Sequence, residues 1–119
     1  MFILLKPSGE VITEKLECAD TPLSQAKGLM FRRRLKSGGL LMAFKRERKV
    51  DIHMLFVFFP LDVIFLDKRK IVLKTLTLKP WLGRASAEKV KYVIELKAGT
   101  AAAFKIKKGD KLKINKHLN

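Results

Sequence analysis

The sequence predicts a mainly β domain, arranged as an antiparallel sandwich or barrel with two short helices. Three observations predict it. Short apolar runs, the length of buried strands, recur at close intervals along the chain. Turn signals separate them: Pro7-Ser8-Gly9, Ser37-Gly38-Gly39, Asp67-Lys68-Arg69-Lys70, Pro80-Trp81-Leu82-Gly83 and Lys108-Gly109-Asp110. Only two stretches carry helix signals, and both are brief. Seven or eight strands follow from this reading, within one domain spanning residues 1–119.

The elements follow in order. Residues 2–5 and 10–18 read as a hairpin closed by Pro7-Ser8-Gly9. Asp20-Thr21-Pro22 is a helix start: Asp20 or Thr21 can accept from unpaired backbone N–H groups, and proline has the pre-set φ of the first helical position. Leu23, Ala26, Lys27 and Met30 then fall near helical spacing, with Gly28 keeping the helix to about two turns. Residues 40–44 form a continuous apolar run, read as a buried strand, and residues 45–49 a charged loop. Residues 52–59 and 61–66 are two more apolar runs, broken at Pro60, which has no N–H to donate to a ladder. Residues 71–78 and 90–96 read as strands. In the second, Tyr92, Ile94 and Leu96 lie on one face and Lys91, Val93, Glu95 and Lys97 on the other. Ala98-Gly99-Thr100 leads into a short helix over residues 101–104, with Thr100 as its cap. Residues 111–115 alternate Leu112 and Ile114 with polar residues and form the last strand.

Composition narrows the function classes. Hydrophobic residues make up 48% of the chain, enough for a core without metal or disulfide support. The one cysteine, Cys18, cannot form an internal disulfide. Its neighbours Glu17 and Asp20 disfavour a thiolate, so it reads as a half-buried strand residue. The most apolar stretch, residues 52–66, carries Pro60 and Asp62 and is shorter than the roughly 20 residues a membrane span needs. Met1 to Leu5 stops at Lys6-Pro7-Ser8-Gly9, far short of a secretory core. A cytoplasmic location is the expectation.

The net charge is +15, and it is segregated. Residues 27–50 carry nine basic and one acidic side chain, and residues 68–91 carry eight and one. Residues 51–67 hold three acidic side chains and no basic one. Such an excess favours polyanionic partners. The candidate polyanion contacts are Arg32, Arg33, Arg34 and Lys36 on one side of the 40–44 strand, and Lys45, Arg46, Arg48 and Lys49 on the other. Lys68-Arg69-Lys70 is a further basic tip. Neutralised phosphates release counterions, which drives binding without a sequence code. Phe31 and Trp81 are the aromatics available for stacking. No known RNA-binding motif, phosphate-cradling glycine loop or Cys/His metal set occurs, so no cofactor is implied. His53 sits in an apolar run and His117 near the end. A metal site needs three or four converging ligands, so both read as structural. Met30, Met42 and Met54 read as core filling.

Several of these residues form an ordered set. Gly28-Leu29-Met30 with Arg32 precedes the 40–44 strand. Met54 follows, then Pro60-Leu61-Asp62 running into Ile64-Phe65-Leu66-Asp67. Tyr92-Val93-Ile94-Glu95-Leu96, Ala98-Gly99-Thr100 and Gly109-Asp110 complete it. In this order and spacing the chain resembles the domain-of-unknown-function 192 family from about Leu16 to Ile114. The resemblance implies a compact β fold of jelly-roll or distorted-barrel type and implies no reaction. Many bacterial relatives carry export signals or lipid anchors, and this chain looks like the bare, archaeal-style form. It departs from the common pattern where relatives have Phe-Trp-Met-x-Asn-Thr: His53 replaces the Trp, and Phe56-Val57 replace the polar pair.

Two further expectations concern Asp62. A carboxylate in so apolar a context has to be paired or hydrogen-bonded, and Arg32 is the natural partner. The family motifs also place Arg32, His53, Met54 and Asp62 together as a candidate ligand cleft. The leading functional reading is a non-enzymatic binding domain whose basic loops engage nucleic acid or another polyanion, or an acidic partner. The alternative is an enzyme or small-ligand binder with its cleft at Asp62. A third is an adaptor for a protein partner, whose mark would be an exposed apolar patch.

Overall fold

A computed structural model describes residues 2–19, 21, 25, 29–30 and 38–116. Its strands are β1 (Phe2–Leu5), β2 (Val11–Ala19), β3 (Gly39–His53), β4 (Leu61–Leu66), β5 (Val72–Leu78), β6 (Arg84–Lys97) and β7 (Lys113–Lys116). One short helix, α1 (Thr100–Ala103), lies between β6 and β7. The strands form one mixed sheet in the order β5-β4-β6-β3-β2-β1-β7. The expected helix at residues 20–30 lies mostly outside the described residues.

All neighbouring strands are antiparallel except β2 and β3, which run parallel with Leu16 beside Gly39 and Ala19 beside Met42. This corrects the wholly antiparallel expectation. Parallel neighbours need a crossover of a dozen residues or more, and residues 20–38 provide it. The helix-start signal between two strand signals was the clue to this crossover.

Two strands are longer than their apolar runs suggest. The charged stretch 45–49 is the middle of the fifteen-residue β3 and not a loop. Strand β6 starts at Arg84, where half-buried Ala85 and Ala87 alternate with exposed Arg84, Ser86 and Glu88. The register between them shifts twice, between Ala43 and Arg48 and between Arg48 and Val50. Such bulges bend a ribbon. In the other direction, the run at 52–59 does not continue as a strand: β3 ends at His53, and residues 54–60 form a loop.

The bend explains how both faces of the central strands are buried. On the first face, Leu61, Val63 and Phe65 of β4 pack with Leu40, Met42 and Val93. Val50, Ile52 and Val90 from the far arm of the ribbon fold over this layer, joined by Met54, Val57 and Leu29. Lys74 Nζ on β5 donates to Ser86 O on that arm at 3.2 Å. On the second face, Ile64, Leu66, Ile94 and Leu96 pack with Leu4, Leu16, Ala101, Ile106 and Leu112. Every residue of β4 is therefore buried. The sheet is not closed; just before β5 and β7, Ile71 and Lys111 form one isolated antiparallel bridge. Val72 N donates to Asp110 O at 2.8 Å, and Gly109 N to Val72 O at 2.8 Å. Among the described residues no helix is long and apolar enough to cross a membrane.

Gly39 opens β3 where these layers press together. Its φ is +149°, and a Cβ there would lie 2.6 Å from Leu96 Cδ2 and 2.7 Å from Glu95 O. Gly109 also has a positive φ, +94°, but faces open space. Gly39→Ala should therefore cost about 2–4 kcal/mol, from overpacking added to backbone strain. Gly109→Ala should cost only the strain, about 1–2 kcal/mol. Urea unfolding of the two variants measures the difference, and equal midpoints would refute the close-packing account of Gly39.

Candidate functional site

Asp62 is 1% exposed and points to the second face, since its neighbours Leu61 and Val63 fill the first. Among the described residues its carboxylate accepts from three donors. Thr77 Oγ1, on the adjacent strand β5, donates to Oδ1 at 2.5 Å. Gly99 N and Ala101 N donate to Oδ2 at 3.0 and 2.9 Å. The latter two amides belong to the first turn of α1, whose N-cap is Gly99 at φ 95°. This corrects the expected cap: no side chain within the helix caps it, and the carboxylate comes from a strand 37 residues earlier. A short turn without a capping side chain of its own leaves N–H groups unpaired, and a buried carboxylate leaves acceptors unpaired. Each satisfies the other.

The expected partner of Asp62, Arg32, lies outside the described residues, as do Arg33, Arg34, Lys36 and His117. Met54 is fully buried on the first face and so does not share a face with Asp62. His53 is exposed at the end of β3, where its Nδ1 accepts from Leu55 N at 3.3 Å. Cys18 is exposed on β2 and not half-buried. A second buried carboxylate, Glu95, is 4% exposed and lies on the first face, opposite Leu40 and Val63. Sequence reading placed Glu95 on a mixed face and gave it no role. Its position between two buried strands was the missing information. No group of three or more His, Cys, Asp or Glu side chains suited to a metal occurs among the described residues.

The structure brings the basic segments together. Lys45, Arg46, Arg48 and Lys49 are all exposed along the bend of β3. Glu47, among them, accepts from Lys68 N through Oε2 at 2.9 Å. The β4–β5 turn is thereby held against the bend, so Lys68 and Arg69 join the same surface. Asp67 Oδ1 fixes this turn from within, accepting from Arg69 N at 2.8 Å and Ile71 N at 3.0 Å. On the turn's other side, Leu112 N donates to Lys70 O at 3.0 Å, which brings up exposed Lys107, Lys108 and Lys111. Tyr92 lies beneath Lys70 and Lys91, whose ammonium groups are 5.4 and 6.0 Å from its ring. Lys91 also donates to Phe44 O. Beside this surface an open groove of about 700 Å³ runs along the bend, lined by Met42, Phe44, Val50 and Ile52 and bordered by Lys45, Arg46 and Arg48. Arg48 lies 5.6 Å from the centre of the Phe44 ring.

The opposite end of the β4–β5 hairpin is apolar. Met54 and Val57 are buried, and they turn Leu55, Phe56 and Phe58 outward. Residues 79–83 lie alongside: Trp81 N donates to Met54 O, and Met54 N to Gly83 O, both at 3.0 Å. Trp81 packs edge-on against Phe56 and Phe58, with ring centres 5.2 and 5.5 Å apart.

Comparison with known proteins places this architecture. The model of DUF192, described as an uncharacterized ACR, matches residues 3–114. The chain belongs to the DUF192 family. A UPF0127 protein of Pyrococcus abyssi is 34% identical over 113 residues, covering 94% of this chain and 97% of that protein. Its counterpart in Pyrococcus horikoshii is 31% identical over 99 residues, covering 83% and 86%. Two crystal structures superpose closely on this DUF192 chain. One, from Sinorhizobium meliloti, is described as a "putative transcription regulator"; it has a TM-score of 0.82 and 29% identity, covering 94% of this chain and 90% of that one. The other, from Novosphingobium aromaticivorans, is a protein of unknown function with a TM-score of 0.79 and 29% identity, covering 94% and 82%.

The geometry of Asp62 makes a stability prediction. Asparagine keeps one oxygen and presents an NH₂ to donors that need an acceptor. Asp62→Asn should cost about 2–4 kcal/mol. Thr77→Val removes one of these donors and should cost about 1–2 kcal/mol. Amide exchange at Gly99 and Ala101 should accelerate in the Asp62 variant well beyond the change at β3 amides. A fully stable Asp62→Asn protein would sink this account.

Proposed function

We propose that this protein is a non-enzymatic binding domain that engages the phosphate backbone of nucleic acid through its basic end. One observation carries the reading: the Glu47–Lys68 hydrogen bond joins two basic segments 21 residues apart into one surface. Glu47 is the only acidic side chain of residues 27–50, and its carboxylate is engaged by a backbone N–H. The cations around it are left facing outward. Lys45, Arg46, Arg48 and Lys49 from the bend, Lys68 and Arg69 from the turn, and Lys107, Lys108 and Lys111 from the adjoining turn would take the phosphates. The S. meliloti protein is described as a "putative transcription regulator", and a regulator of transcription is one setting in which such a surface would serve.

The alternative, an enzyme or small-ligand site at Asp62, has less support. The carboxylate is buried, and three donors of the fold already occupy it.

The test is fluorescence anisotropy with mixed-sequence duplex DNA and RNA across a salt series. Binding should weaken with salt, with a log–log slope of about −0.9 per neutralised phosphate on duplex DNA. Replacing Lys45, Arg46, Arg48 and Lys49 with Ser should make the slope shallower by roughly one unit for each phosphate no longer neutralised, and weaken all sequences about equally. Absence of binding even at low salt would overturn the proposal.

A further inference from the structure

We propose that the apolar knob formed by residues 54–58 and 80–83 is a second interaction surface, one that inserts into bilayers containing anionic phospholipid. It is separate from the basic end and does not rest on the nucleic-acid reading.

The knob is built to expose apolar side chains. Leu82 is 83% exposed, Leu55 51%, Phe58 47%, Trp81 42% and Phe56 40%. They come from two loops that Met54 ties together through its backbone N–H and carbonyl. Phe56 and Trp81 have φ values of 61° and 65°, a left-handed conformation that bulky side chains rarely adopt; Lys70, Lys89 and Lys105 share it elsewhere, and the knob holds the two aromatic cases. Backbone strain of this kind persists where the surroundings enforce it, and it gathers at functional sites. Both residues stay 40% or more exposed, so the strain is not spent on burying them. Gly83 lets the second loop turn tightly: a Cβ there would lie 2.8 Å from Lys79 O and from Leu78 Cβ.

The chemistry of the knob selects its partner. Exposed Lys79 and Arg84 bracket the second loop, and exposed Lys97 pairs with Leu61 at the end of the first. Asp51 is the one acidic residue among 51–60 and 79–84, and the whole chain carries +15. Apolar tips flanked by cations fit an anionic bilayer, where aromatic side chains settle at headgroup depth and aliphatic ones below. Association of two copies through this knob would bring Lys79, Arg84 and Lys97 of each copy close to those of the other. A protein interface of ordinary size takes about 20–30 residues a side, and among the described residues this patch offers five large exposed apolar side chains. Stacking on single-stranded nucleic acid requires open ring faces, whereas the two most exposed residues, Leu82 and Leu55, are aliphatic.

Trp81 is the only tryptophan in the chain, so it reports insertion directly. The full chain is titrated with vesicles of phosphatidylcholine alone and of phosphatidylcholine with phosphatidylglycerol, each with or without brominated acyl chains. Trp81 emission should shift to the blue and be quenched by bromine on the mixed vesicles. Neutral vesicles should bind at least about tenfold more weakly. Leu55→Ser with Leu82→Ser, both on exposed side chains that the fold does not need, should weaken partition by about tenfold or more. Replacing Lys45, Arg46, Arg48 and Lys49 with Ser should leave bromine quenching of the bound protein in place. That variant separates this proposal from the nucleic-acid reading, whose binding it should abolish or weaken. Three results would overturn the proposal: vesicle binding without quenching of Trp81, which means adsorption by charge alone; Trp81 quenched by an oligonucleotide and not by brominated lipid; or a concentration-dependent dimer that the two Leu→Ser changes dissolve.

Discussion

Strands of fifteen and fourteen residues run well past a six-residue β4, and the β3–β6 ribbon bends back over it instead of projecting into solvent. The bulges between Ala43 and Val50 supply the bend, and the rest of the architecture follows from it. The near arm supplies the centre of the sheet. The far arm folds back and covers Phe65 and Val63 with Val50, Ile52 and Val90. Without that cover, β4 would present Leu61, Val63 and Phe65 to water. Roughly 25 cal/mol per Å² of apolar surface is at stake across this layer. The bend also exposes its outer side, and there the sequence places Lys45, Arg46, Arg48 and Lys49. Packing inside and charge outside are thus set by the same backbone distortion.

The two buried carboxylates lie on opposite faces of the sheet centre, and neither is an ordinary core residue. Asp62 links three elements, β4, β5 and α1, through one side chain. Its desolvation is offset by hydrogen bonds to backbone and hydroxyl donors that would otherwise need partners of their own. The same bonds hold a four-residue helix in place, since so short a turn has almost no stability alone. The helix in turn places Ala101 over the second core beside Ile106. A polar residue in an apolar strand here organises a fold, which is a different role from the ligand chemistry its setting first suggests.

Much of this was legible in the sequence. The runs at 61–66 and 71–78, the Asp67-Lys68-Arg69-Lys70 turn and the turns at Gly9 and Gly109 all stand where periodicity and turn chemistry put them. The errors have specific causes. Residues 45–49 read as a loop because five consecutive polar residues mask a strand whose solvent side is wide and whose bulge breaks the alternation. Residues 54–58 read as strand because they are apolar, yet three of the five apolar side chains face water. Composition reports transfer free energy and not direction, so an apolar surface loop and a buried strand look alike. The basic surface was half visible: each cluster could be seen alone. Their union depends on Glu47 reaching a backbone N–H across 21 residues, which no local pattern encodes. The cap of α1 by Asp62 escaped for the same reason.

The β4–β5 hairpin separates the two surfaces. Its turn carries Lys68 and Arg69, and its open end leads into the loops of Phe56 and Trp81. Six residues of strand span about 20 Å, about two and a half times the roughly 8 Å screening length in physiological salt. Charge at the basic end therefore acts on the knob only weakly through solvent, and side-chain changes at one end leave the packing of the other intact. The strand between them is buried on both faces and admits no gradual deformation. A rigid hairpin with cations at one end and strained aromatics at the other holds two chemically distinct surfaces at a fixed distance. Neither surface needs the other to form, and each can be altered by side chains that the core does not use.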